Sequence, residues 1–224
     1  MAGYSTSVNP LVLPGVYAPQ EDTELLAGVL SDEPLPPGAE VLDVGTGTGA
    51  LALEAARRGF RVTAVDVSWG AVWAARLNAW LAGLPIRIRH GNLFEPVRGE
   101  SYDLVLANPP YVPAPDGRRA PRGAARAWDA GDDGRLVVDR ICREAPGLLQ
   151  PGGVLLLVQS ALSGPDLTVG QLRAAGLKAA VTQRRRIAFG PVLRGRERWL
   201  RERGLLSDTE DKEELVVVRA ELPV

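Results

Sequence analysis

Glu40-Val41-Leu42-Asp43-Val44-Gly45-Thr46-Gly47-Thr48-Gly49 is the stretch that decides the fold. Val41 to Val44 make a short apolar strand, and glycine then takes every second position. Good helix formers follow, from Ala50 to Ala56. A strand feeding a glycine-rich turn and then a helix opens a nucleotide-binding βαβ unit. Gly45, Gly47 and Gly49 let backbone approach a ligand with no Cβ in the way. The helix N-terminus adds unpaired N–H groups and partial positive charge, which suit a carboxylate as well as a phosphate. Taken alone, the same glycines also fit a tight turn that binds nothing.

The neighbouring strand ends narrow the reading. Asp43 closes the first strand, pointing at the same crevice as Thr46 in the loop. Asp66 closes the next, Arg61–Asp66, and is followed by Val67. A carboxylate there can accept both hydroxyls of a ribose. Asn108-Pro109-Pro110-Tyr111 closes a third strand, Tyr102–Ala107. Polar groups on three strand ends along one edge of a parallel sheet mark the ligand site of an open α/β fold. A dinucleotide oxidoreductase is a rival, since Gly45, Gly47 and Ala50 fit G-x-G-x-x-G/A. That reading leaves Asn108–Tyr111 unused and seldom wants an acid at Asp43. The combination resembles the class I S-adenosylmethionine methyltransferases, and Asn-Pro-Pro-Tyr resembles their amino-methylating members.

Composition sets wide bounds. The 224 residues suit one α/β domain, 1–224, and 46% hydrophobic with 24% charged residues is ordinary for a globular chain. A net charge of −1 gives no overall attraction to nucleic acid or to anionic membrane. Cys142 and His90 are each the only residue of their type, so no disulfide framework and no Cys/His metal site is expected. Cys142 reads as a small apolar helix residue and His90 as a strand end. No leader pattern and no long uncharged apolar run is evident, and a cytoplasmic protein is expected.

Strands and helices alternate along the chain, which predicts a doubly wound sheet. Residues 1–18 read as irregular. A helix is expected over 24–30, with Asp22 or Thr23 as its cap. A proline-rich linker, Pro34 to Gly38, leads to the first strand. The helix over 69–81 places Trp69, Trp73 and Trp80 at helical spacing with Val72, Leu77 and Leu81, which predicts a buried face. A strand over 85–90 is followed by Gly91-Asn92-Leu93-Phe94. Residues 112–131 read as a long loop, of the kind that is usually functional or disordered. A helix over 134–148, a buried strand over 154–158, a helix over 167–175 and a strand over 177–186 come next. Eight arginines fall within 184–203, with a helix over 193–203, before an acidic stretch at 208–214 and a last strand at 215–219. The region 184–214 reads as an insertion, either a solvated helix balanced by the following acids or a basic wall of a substrate groove. The former is favoured.

Asn108–Tyr111 carries the chemistry. An amide or aromatic amino nitrogen is a poor nucleophile because its lone pair is delocalised. Two acceptors, the Asn108 side-chain oxygen and the Pro109 carbonyl, can take its two N–H groups. The lone pair is then free to point at an electrophilic methyl, and positive charge growing on nitrogen is stabilised. Pro109 and Pro110 fix φ and remove two donors, so the carbonyls stay aimed. Tyr111 can stack on a planar group.

Pro19-Gln20-Glu21-Asp22-Thr23 and Ala127-Trp128-Asp129-Ala130-Gly131 through Gly134 extend the resemblance to the HemK family of glutamine-N5 methyltransferases, in a short branch lacking an N-terminal helical domain. The resemblance implies a seven-stranded sheet in the order 3-2-1-4-5-7-6 with its last strand antiparallel. It implies that Thr23, Asp43, Gly45, Thr46, Gly47, Gly49, Asp66, Val67, Asn92, Leu93 and Asn108 hold S-adenosylmethionine, Asn92 and Leu93 at the adenine. Asn108, Pro109 and Tyr111 would be catalytic, and Asn108, Pro110, Tyr111 and Trp128 would meet the acceptor. That acceptor would be the glutamine of a Gly-Gly-Gln motif in a release factor, or a related protein side chain. Asp129-Ala130 departs from the family's Gly-Gly pair. Eukaryotic and archaeal members rely on a small zinc-binding partner, for which this sequence carries no sign. A nucleic-acid amino methyltransferase and a small-molecule N-methyltransferase remain open alternatives, the first disfavoured by the charge balance.

Overall fold

The computed structural model describes residues 10–115, 128 and 130–224. Seven strands form one sheet in the order β3-β2-β1-β4-β5-β7-β6. In chain order they are β1 (Glu40–Val44), β2 (Arg61–Asp66), β3 (Ile86–His90), β4 (Tyr102–Ala107), β5 (Leu149–Ser160), β6 (Lys178–Ala188) and β7 (Lys212–Glu221). Neighbours from β3 to β5 pair parallel, and β7 runs antiparallel between β5 and β6. Strand order and direction are those expected. The central strands are near-continuous apolar runs, as strands covered on both faces must be: Leu42, Leu104, Leu106, Leu155 and Leu156 are wholly buried.

The helices are α1 (Glu21–Asp32), α2 (Ala50–Arg57), α3 (Trp69–Ala82), α4 (Val138–Glu144), α5 (Pro165–Ala174) and α6 (Pro191–Glu202). Parallel crossovers are right-handed. The connections β1→β2 and β2→β3 step one way along the sheet and β4→β5 steps the other, so α2 and α3 cover one face and α4 the opposite one. The direction of winding reverses between β1 and β4, and a crevice opens beyond their carboxyl ends.

Several elements differ from expectation. The helix expected over 134–148 is the short α4 followed by a 3-10 turn, Ala145–Leu148. Arg184, Arg185 and Arg186 do not begin an insertion: they belong to β6, paired with Val216, Leu215 and Glu214 of β7. Neither Asp22 nor Thr23 caps α1, whose N-cap is Gln20 with no side-chain bond. The tryptophan face of α3 is also reversed. Trp69, Trp73 and Trp80 are 57%, 60% and 76% exposed, while Ala71, Val72, Ala74, Ala75 and Ala79 are buried. Close approach decides this: a Cβ at Gly49 would lie 3.2 Å from the Ala75 Cβ, so the inner stripe of α3 has room only for small residues. Trp69 instead stacks on His90 with ring centroids 4.0 Å apart.

Among the described residues no helix is long and apolar enough to cross a membrane, and no cluster of His, Cys, Asp or Glu could hold a metal ion. Most of the long loop expected over 112–131, with Asp129 in it, and the first nine residues lie outside the described residues.

Candidate active site

A cavity of about 840 Å³ occupies the crevice at the carboxyl ends of β1, β2 and β4. That volume lies within the ~300–1,000 Å³ of ordinary small-molecule sites. Its floor at one end is the loop Gly45–Thr48. The N–H groups of Gly45 and Thr46 both donate to the Val65 carbonyl, at 2.8 and 3.0 Å. Gly45 and Gly47 hold φ of +74° and +57°, which a side chain would oppose.

Asp66 lines the cavity and anchors this loop. Its Oδ2 accepts the Gly47 N–H at 2.9 Å and its Oδ1 the Ser68 N–H at 2.8 Å. Each oxygen keeps a lone pair for a hydroxyl in the cavity. Burial raises its pKa, and the two backbone donors oppose that shift. Val67, Asn92 and Leu93 continue the same wall. Leu93 has φ +50°, the only positive value at a non-glycine among the described residues. Such strain concentrates where a chain must present itself to a ligand. Asn92 Oδ1 already accepts from Arg140 Nη1 at 3.0 Å, a contact that sequence reasoning missed.

Asp43 and Gly49 are placed differently from expectation. Asp43 is buried behind the loop, accepting from Thr46 Oγ1 at 2.6 Å and from the Ala52 N–H at 3.1 Å. It braces the loop and does not line the cavity. Desolvation pushes its pKa up to about 6, against the two hydrogen bonds that favour its charge. Gly49 is likewise a packing residue, set against Ala75 of α3.

The other end of the cavity is built by Asn108, Pro109, Pro110, Tyr111 and Trp128. Asn108 donates its Nδ2–H to Thr23 Oγ1 at 3.3 Å, which leaves its Oδ1 as the acceptor of the amide. Thr23 in turn donates to Asp22 Oδ1 at 3.2 Å. Asp22 Oδ2 accepts two phenols, Tyr17 at 2.7 Å and Tyr111 at 2.9 Å. Burial, with the Asp22 charge beside them, holds both phenols well above their ordinary pKa, so they stay protonated and donating. Gly134, at φ +75°, passes so close that a Cβ would lie 2.3 Å from the Tyr111 carbonyl oxygen, which fixes the segment after the loop against the tetrapeptide.

Three further pieces complete the cavity, of which the sequence singled out Pro19–Thr23 by resemblance and weighed the arginine-rich region as a groove wall, while Gly15–Ala18 and Glu213 carried no local signal. Residues 15–20 line the cavity mouth, and Asn78 ties this segment to α3 through both Leu11 N–H and Leu11 C=O. Gly190–Leu193, the first turn of α6, forms another wall. Glu213 at the start of β7 also lines the cavity, because β7 runs antiparallel and begins beside the carboxyl end of β5. The arginines of α6 turn largely outward: Arg198 pairs with Glu202 and Arg201 with Glu197, both at 2.8 Å. Arg196 donates to the Pro113 carbonyl at 2.9 Å and so links α6 to the loop after the tetrapeptide.

A doubly wound sheet of this order, with an acidic residue closing β2 and an Asn-Pro-Pro-Tyr after β4, defines a class I methyltransferase. Residues 10–119 match the family model described as the methyltransferase small domain. A putative protein N5-glutamine methyltransferase of Methanocaldococcus jannaschii is 36% identical over 181 residues, covering 80% of this chain and 90% of that protein. The release factor glutamine methyltransferase of Deinococcus radiodurans is 41% identical over 169 residues, or 73% of this chain and 57% of the relative. A solved Mtq2–Trm112 complex of E. cuniculi, responsible for methylation of the eRF1 translation termination factor, superimposes with a TM-score of 0.66 at 25% identity. It covers 92% of this chain and 98% of the matched one. The chain belongs to the HemK family of protein N5-glutamine methyltransferases. It spans under two thirds of the length of the bacterial release factor relatives it matches.

Proposed function

We propose that the protein transfers a methyl group from S-adenosylmethionine to the side-chain nitrogen of a glutamine, in the Gly-Gly-Gln motif of a peptide release factor. One observation carries this reading: Asn108, its Nδ2–H held by Thr23 Oγ1 and its Oδ1 left to accept, lines the same cavity as Asp66. The donor set fits the cofactor. Asp66 offers two acceptor lone pairs to a ribose, the loop at Gly45–Thr48 offers close backbone, and Asn92 with Leu93 offers an edge and a face to a purine. When bound, S-adenosylmethionine supplies an electrophilic sulfonium methyl. The chain's own part is positioning and electrostatics. Asn108 Oδ1 and the Pro109 carbonyl accept the two N–H groups of the glutamine amide. Tyr111, held by Asp22, and Trp128 flank its plane. No base has to act before transfer, because the proton becomes acidic once nitrogen is alkylated.

The names of the relatives support release factors as the substrate class, and the E. cuniculi complex supports a small activating partner as a further element. The test is transfer of labelled methyl from S-adenosylmethionine into a purified Gly-Gly-Gln release factor, beside RNA and DNA, with calorimetry of cofactor binding. Asp66→Ala should weaken cofactor binding by roughly 1–3 kcal/mol. Label in RNA or DNA and none in protein would transfer the assignment to a nucleic-acid amino group.

A further inference from the structure

Leu136 and Val137 line the cavity, but Arg135 beside them turns into the protein, its side chain 6% exposed. Every nitrogen of its guanidinium meets an acceptor. Nε and Nη2 donate to Asp139 Oδ1 at 3.0 and 2.7 Å, and Nη2 also donates to Gln171 Oε1 at 3.2 Å. Nη1 donates to the Ser163 carbonyl, to the Gly164 carbonyl at 2.9 Å and to Thr168 Oγ1 at 3.1 Å. The guanidinium thus ties the segment leading into α4 to the turn between β5 and α5. A buried cation is a costly way to fill space, which an apolar side chain could fill as well. What the guanidinium supplies is a planar fork that accepts one arrangement of its partners. That arrangement is passed on to the acceptor end of the cavity. Gly134, the residue before Arg135, lies so near the Tyr111 carbonyl oxygen, Pro113 and Ser163 that no Cβ fits. The N–H of Leu136, the residue after it, donates to the Ala130 carbonyl at 2.9 Å, and the Ala130 N–H to the Val112 carbonyl at 3.1 Å. Val112 N–H donates to the Trp128 carbonyl at 3.0 Å, and Ala114 N–H to the Gly131 carbonyl at 2.9 Å. A ladder of backbone bonds therefore runs from Arg135 to Trp128 and to the segment that leaves the Asn-Pro-Pro-Tyr tetrapeptide.

We propose that Arg135 is a positioning residue for the acceptor. It touches no substrate, and it sets where Trp128, Tyr111 and Leu136 stand by locking residues 130–136 to the scaffold of β5 and α5. None of the bonds just described reaches the loops after β1, β2 and β3, which build the cofactor end. Loosening the lock therefore disturbs the acceptor wall and leaves the cofactor wall in place. Wall contacts of this kind hold the acceptor alike before and during transfer, so their loss falls on KM and not on kcat.

This inference rests on the protein-acceptor reading, and its test separates the two. Arg135→Lys keeps the charge and loses the fork. Thr168→Val keeps the shape and removes one bond. Arg135→Ala is assayed with and without millimolar guanidinium, which can refill the space left by the side chain. On the full chain, S-adenosylhomocysteine affinity is measured by calorimetry, KM and kcat on a Gly-Gly-Gln release factor, and amide hydrogen exchange along the backbone. In Arg135→Lys, KM should rise about tenfold with kcat within about threefold of wild type. Exchange over 112–114 and 130–136 should quicken by about tenfold or more, while exchange in β1, β2 and β4 and the cofactor affinity match wild type. Thr168→Val should move KM and the same amides in the same direction by about twofold. Guanidinium should bring the KM of Arg135→Ala back towards wild type and leave wild type itself unchanged. Should Arg135→Ala not fold, Arg135→Lys and Thr168→Val still decide. An unchanged KM in Arg135→Lys, or exchange that quickens across the whole sheet together with lost cofactor affinity, would overturn the proposal and leave Arg135 a residue of general stability. Locally quickened exchange in a chain that methylates no release factor would uphold the Arg135 lock and sink the glutamine assignment.

Discussion

Asn108 Nδ2 lies 3.3 Å from Thr23 Oγ1, across 85 residues of sequence, and this single bond commits the amide nitrogen to Thr23 and leaves the oxygen to accept. Without it the side chain could flip and present N–H groups to an acceptor nitrogen that itself carries N–H groups. Thr23→Val keeps the shape and loses the acceptor. Its single-turnover methyl transfer should fall about tenfold, the value of a net hydrogen bond of on the order of 1 kcal/mol. Thr23→Ser should recover most of the rate. Equal rates for Thr23→Val and wild type would show that Asn108 is oriented by something else.

The reversed face of α3 gives a stability prediction. Trp80 is 76% exposed and Val72 wholly buried. Trp80→Ser should change unfolding free energy by no more than about 0.5 kcal/mol. Val72→Ala should cost about 2 kcal/mol through lost burial and a cavity beside β2. Urea unfolding of the two variants decides between the exposed and the buried assignment.

Glu213 also predicts how stability depends on pH. Desolvation raises its pKa in the fold from the usual carboxylate value to about 7. The protonated acid is therefore favoured by folding. The stability it contributes is complete below the unfolded value near 4.5 and is lost as pH rises through 7. Glu213→Gln cannot titrate, so it should be more stable than wild type at pH 8, by roughly 3 kcal/mol. The difference should vanish towards pH 4.5. Asp43 shifts in the same direction but is present in both proteins, so the comparison isolates Glu213. Parallel pH curves for the two proteins would show that Glu213 is solvated in the fold.

Much of this architecture is legible in the sequence for a physical reason. Parallel strands buried on both faces read as short apolar runs, and Gly, Asn and Pro mark where they stop, so Asp66 and Asn108 could be placed at one sheet edge before any coordinates. That same double burial hides which way a strand residue points, and it is why Asp43 reads as a cavity residue when it turns behind the loop. On α3 the large side chains drew the buried face, although contact with Gly49 leaves room only for Ala75 and its small neighbours. Tyr17, Asp22, Tyr111 and Glu213 meet from opposite ends of the chain, and no local pattern records a meeting of that kind. The first turn of α6 reaches the cavity for the same long-range reason.

The central claim is that Asn108 acts on the acceptor as charge builds on its nitrogen, and much less on the cofactor. The measurement is single-turnover methyl transfer from saturating labelled S-adenosylmethionine to an intact Gly-Gly-Gln release factor, by wild type and by Asn108→Ala. The account predicts a rate lower by roughly 10²–10³, the usual effect of losing one aimed polar group, with cofactor affinity changed far less. Wild-type turnover by Asn108→Ala would contradict it.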